Sequence, residues 1–103
     1  MTDRMQKLST MLEKDPTDTF VLYAIAMEHK KAKQSEQALE WFDKVIAVDP
    51  GYAVAYHQAA LTQEGDGKME EARKLYHRGI AAADKKGDHH AADEMRAALA
   101  VIE

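Results

Sequence analysis

The chain has no cysteine. Disulfides, thiol catalysis and thiolate metal sites are thereby excluded. Proline occurs twice and glycine five times in 103 residues, so little breaks a helix. Runs of Val, Ile, Thr and aromatics with period two are missing, and with them the mark of a strand. No stretch approaches the roughly 20 apolar residues of a membrane span. The start, MTDRMQKLSTMLEKDP, has no long apolar core and does not read as a signal peptide. A soluble, cytoplasmic protein is the expectation. The balance of 14 Lys and Arg against 18 Asp and Glu leaves a net charge of −4. That does not suit a nucleic-acid binder, which carries a basic face.

What is present is helix-forming material with 46% hydrophobic residues, enough for a core. Six amphipathic segments can be marked. The first, about 3–14, places Met5, Leu8, Met11 and Leu12 on one stripe before Pro16 stops it. The second, about 18–33, is apolar over a wide arc and closes on Lys30, Lys31 and Lys33. The third runs to about Val48, with Ser35 as its expected cap. The fourth spans about 52–64, up to Gly65-Asp66-Gly67. The fifth runs from about Lys68 to Lys86, with Gly87 as a C-terminal cap, and the last from Asp88 to about Ile102. Loops this short imply antiparallel hairpins.

Asp-Pro is written twice, at Asp15-Pro16 and Asp49-Pro50, 34 residues apart. Slid by that distance, Ala26 meets Ala60, Ala38 meets Ala72, Phe42 meets Tyr76, and Ile46 meets Ile80. Leu8 falls on Phe42 and Leu12 on Ile46. A two-helix period of 34 is the mark of one repeat class.

The chain resembles the tetratricopeptide repeat family, whose unit reads W-x2-L-G-x2-Y, A-x3-F, P. In residues 19–52 the matching positions are Leu22, Ile25, Ala26, His29, Ala38, Phe42 and Pro50. In residues 53–86 they are Tyr56, Ala59, Ala60, Gln63, Ala72, Tyr76 and Asp84. His29 and Gln63 depart from the usual aromatic, and Asp84 from the usual proline. As a whole the chain is similar to small free-standing bacterial members. The resemblance implies an all-α fold, antiparallel hairpins stacked as a short right-handed solenoid. It would be a single domain, 1–103. Residues 1–16 would form an N-terminal cap, 19–52 and 53–86 two repeats, and 87–103 a C-terminal capping helix.

It further implies an adaptor that binds a peptide or helix of another protein on a concave face. By the period, Phe20, Tyr23, Met27 and Lys30 of the second helix line that face. So do Val54, His57, Leu61 and Glu64 of the fourth, and Asp88, Ala91 and Met95 of the last. Met and aromatics suit an interface core. The last helix could also fold over the face, with Met95 and Leu99 covering Leu61. The Lys and Asn clamp by which some members hold a terminal carboxylate has no match, since Tyr23, Met27 and Gln58 stand there.

The alternative is a self-assembling structural unit, a homodimer or larger oligomer. Trp41 and Tyr52, both placed off the groove, discriminate: an exposed apolar patch around them favours self-association, and burial between hairpins favours the groove. The run HKKAK at 29–33 either grips an acidic group or compensates the helix dipole. No metal, cofactor or catalysis is expected. His29, His57, His77, His89 and His90 lack ligand spacing, and GDGK at 65–68 is a turn rather than a phosphate loop.

Overall fold

A computed structural model describes residues 2–103; Met1 lies outside the described residues. It contains α1 (Asp3–Lys14), α2 (Thr19–Lys31), α3 (Ser35–Val48), α4 (Ala53–Gly65), α5 (Met69–Lys86) and α6 (His89–Ile102). Each helix packs on its neighbour in the chain, and α4 also touches α6. The result is an all-α slab of stacked hairpins, 39 × 30 × 17 Å.

The helix ends follow local chemistry. Thr2, Asp18 and Asp88 accept hydrogen bonds from the N–H groups of Met5, Val21 and Ala91, capping α1, α2 and α6. The two Asp-Pro turns are copies of one another. Asp15 and Asp49 are extended, as a residue before proline must be. Each carboxylate then accepts the N–H two residues on, Thr17 at 3.2 Å and Gly51 at 3.1 Å.

The ends of α2 and α4 also match at a distance of 34. Lys33 and Gly67 have φ of 61° and 76°, and Gln34 and Lys68 donate back to the carbonyls of His29 and Gln63. Gly87, φ 86°, closes α5 in the same way. The closure after Lys33 displaces the expected cap. Gln34 takes the N-cap position, Ser35 becomes the first helical residue, and its hydroxyl donates to Asp66 at 3.0 Å.

Two apolar clusters hold the slab. One joins Leu8 of α1 to Val21, Ala24 and Ile25 of α2. The larger runs from Leu22 through Phe42, Tyr56 and Tyr76 to Met95 and Leu99. Leu12 and Trp41 pack against both. Ala26, Ala38, Ala60 and Ala72 are fully buried, as positions of close helix approach require. Tyr56 ties α4 to the second Asp-Pro turn by donating to the Pro50 carbonyl at 2.7 Å. No described helix is long and apolar enough to cross a membrane.

Candidate functional site

Helices α2 and α4 are the first helices of successive hairpins, and α6 follows as the C-terminal helix, packed on α5 and α4. Two links tie α2 to its neighbours. The Lys30 ammonium donates to the Gln58 side-chain carbonyl, and the Tyr23 ring lies 5.6 Å from Tyr52 and 6.0 Å from Phe42. Burial lowers the Lys30 pKa and raises that of Tyr23, to which Tyr52 adds. Both side chains are half-buried, fixed parts of the face.

The face carries two clefts. The first, about 290 Å³, lies between the N-terminal halves of α4 and α6. Val54, His57 and Tyr52 form one side, Asp88, His90, Ala91 and Glu94 the other, and Met95 lies at its base. The second, about 240 Å³, lies where α2 and α4 end, between Lys30, Lys33, Ser35, Leu61, Thr62 and Asp66. The expected residues therefore divide. Val54, His57 and Met95 gather at the first cleft, and Lys30 and Leu61 at the second. Phe20, Tyr23, Met27 and Glu64 line neither, although Phe20 is 68% exposed.

Three expectations change. Met95 is 1% exposed and packs against Gly79, where an added Cβ would meet its sulfur at 2.6 Å; it is core, and only its edge reaches the base of the cleft. Leu61 is 36% exposed while Met95 and Leu99 are buried in the core, so α6 does not cover it. Tyr52 lines the first cleft instead of lying off the groove. Sequence periodicity missed it because Tyr52 precedes the first residue of α4 and is not in a helical register.

The polar groups have local partners. Glu64 accepts from the Tyr76 hydroxyl, whose pKa is pushed up by burial and by that carboxylate. His57 meets the Tyr76 ring edge-on, centroids 5.7 Å apart. His90 Nε2 lies 2.6 Å from Glu94 in the first turns of α6, and His89 Nδ1 lies 3.1 Å from Asp84. Asp84 also binds Arg96, and these two partners hold its carboxyl below the usual range. The residue in the place of the repeat's proline thus ties α5 to α6. Trp41 is half-buried, with His29 stacked on it at 6.4 Å and the Lys44 ammonium 5.3 Å from its ring.

An all-helical array of hairpins with a grooved face is a helical-repeat scaffold, an architecture of protein–protein interaction and assembly. The chain belongs to the tetratricopeptide repeat family, shown by 30% identity over most of its length to a solved member; the family model, described as tetratricopeptide repeat, matches residues 21–52. A tetratricopeptide repeat domain protein from Salinibacter ruber is similar in structure. Its TM-score is 0.79 at 30% identity, over 86% of this chain and 90% of that one. Protein BPP2914 from Bordetella parapertussis shares the fold, with a TM-score of 0.84 at 24% identity over 99% of this chain and 89% of that one.

Among curated proteins, the chain is 33% identical to the photosystem I assembly protein Ycf3 of Rippkaea orientalis, over 63% of this chain. It spans only 42% of that protein's length. It is 24% identical to the TPR repeat-containing protein PA0015 of Pseudomonas aeruginosa, over 88% of this chain and 87% of that one. Such repeats are typically non-catalytic scaffolds.

Proposed function

We propose that the protein is an adaptor that receives a peptide or helix of a partner protein on the α2–α4–α6 face, without catalysis. One observation carries this reading. Val54 and Leu61 of α4 are 42% and 36% exposed and line the first and second cleft, and Phe20 of α2 is 68% exposed. Exposed apolar groups clustered on one grooved face mark interaction surfaces, whereas isolated ones do not. Half-buried Tyr23, Met27 and His57 are packed into the face, so little ordering entropy is lost on binding. Self-assembly through α3 is the weaker reading, because His29 and Lys44 cover Trp41.

The test is recovery of partners from native extract by wild type and by Val54→Gln/Leu61→Gln. Tyr23 is left intact because it packs against Phe42 and Tyr52. A protein recovered by wild type and lost with the equally helical variant supports the adaptor. Equal recovery by both forms means that another surface does the work.

A further inference from the structure

We infer that the edge of the slab beside the second Asp-Pro turn is a further docking site, for a short acidic segment of a partner protein. A pocket of about 440 Å³ opens there, between the α3–α4 turn and the C-terminal half of α5. Pro50, Gly51, Tyr56 and Ala82 give it an apolar floor. Its charged lining residues, Lys85 and Lys86, are both cationic. A third cation stands at the margin, since the Arg78 guanidinium lies over the Tyr56 ring, 5.5 Å from its centroid. Arg78, Ala82 and Lys85 are spaced i, i+4 and i+7, so α5 presents them along one face.

Among the described residues, Arg78, Lys85 and Lys86 are in no ion pair. The Lys86 ammonium donates to the Gly51 carbonyl at 3.5 Å, and its stem lies against Gly51, where an added Cβ would meet its Cδ at 3.2 Å. The carboxylate of the turn, Asp49, accepts the Gly51 N–H at 3.1 Å, so one negative charge stands against the cations. Asp84 of the same helix is already held by Arg96 and His89. Cations in a last turn compensate the helix dipole, as Lys85 and Lys86 do. That effect fades within the turn, and Arg78 stands about two turns earlier. Positive charge fixed over an apolar floor selects an anionic partner, and the planar guanidinium matches a carboxylate. The whole chain carries −4, which opposes a long polyanion such as a nucleic acid and favours a short acidic segment. The pocket adjoins the first cleft at Lys86, which lines both, but it includes neither Val54 nor Leu61. It is therefore a site beyond the grooved face.

The test is an NMR titration of the full chain at low salt with hexaglutamate and hexaglutamine, both blocked at their ends so that no terminal carboxylate takes part. The titration is repeated on Arg78→Gln/Lys85→Gln, in which glutamine suits a helix. Lys85→Gln alone, which leaves the Arg78–Tyr56 contact in place, is the second variant. Hexaglutamate is expected to shift the amides of Gly51, Tyr56 and Ala82, and hexaglutamine is not. The apparent Kd should rise about fivefold in the double variant, as two exposed ion pairs are lost, and should rise with salt. Val54→Gln/Leu61→Gln should leave the titration unchanged.

Shifts at Lys30, Lys33 and Thr62 instead would put the acidic segment at the second cleft and overturn the inference. Equal binding of hexaglutamine, no shift at all, or an affinity indifferent to both lysine variants would also overturn it. Inorganic phosphate that matched hexaglutamate at equal concentration would make this a pocket for compact anions and not a docking site. Loss of the shifts in Val54→Gln/Leu61→Gln would return the segment to the grooved face, overturning this inference and leaving the adaptor reading standing.

Discussion

Gly79 on α5 faces Tyr56 on α4 so closely that a Cβ added to the glycine would sit 2.6 Å from the tyrosine Cβ. The same methyl would meet the Met95 sulfur of α6 at 2.6 Å. Three helices converge there. A flexible thioether can move aside, but a Cβ is fixed to its backbone. Alanine in a helix interior is ordinarily favoured over glycine by about 1 kcal/mol. Here Gly79→Ala is expected to destabilise by about 1–2 kcal/mol net, since overpacking outweighs propensity. Urea unfolding checks this, and a stabilised variant would mean that the helices can separate freely.

Lys33 carries the opposite expectation. It adopts φ 61° at the position occupied by Gly67 one repeat later. A side chain in the left-handed region costs roughly 1–2 kcal/mol, part of which glycine returns as unfolded-state entropy. Lys33→Gly should therefore raise stability by about 0.5–1 kcal/mol, seen as a higher melting temperature with unchanged helicity.

Ala26 is fully buried in the larger core cluster, which also contains Ala38. Ala26→Leu should cost about 1–3 kcal/mol through overpacking. The surface exchange Val54→Gln/Leu61→Gln should change stability by no more than about 0.5 kcal/mol, because both residues are exposed. Chemical denaturation of the two variants side by side separates core from face.

The Tyr76–Glu64 bond adds a pH dependence. The folded-state pKa of Tyr76 is raised, by burial first and then by Glu64. A raised phenol pKa gives stability that is fully present below the unfolded value, near 10. It is lost as pH rises from there toward the folded value, because only the folded state keeps the proton. Tyr76→Phe should lower stability at neutral pH by about 1–2 kcal/mol, the worth of a bond to a charged acceptor. It should also remove the alkaline fall attributable to this group. Denaturation profiles from pH 8 to 11 for both proteins provide the check.

Much of the architecture is written locally. The Asp-Pro pairs, the breaker at 65–67 and the glycine at 87 fix helix ends through backbone geometry within a few residues, and the structure has helix ends at each. The 34-residue period named the buried alanines and aromatics, because the same packing problem recurs in each hairpin. The single misplaced cap, Ser35, reflects a left-handed lysine that no composition rule foretells.

The face was legible only as a register. Periodicity says which side of a helix a residue is on, but not whether another helix already occupies that side. Met95 shows the difference. It shares the register of Met27 and Leu61, yet α6 tilts it into the gap left by Gly79 and buries it. Tertiary contact alone also brought Tyr52 to the cleft, together with Asp88 and Glu94. Tyr52 stands before α4 and Asp88 before α6, so they meet only once the helices are stacked. The sequence by itself determined the helices, the repeat and the alanine seams, since these depend on short-range sterics and period. The cleft was decided by the tertiary structure, since it depends on distances between residues far apart in the chain.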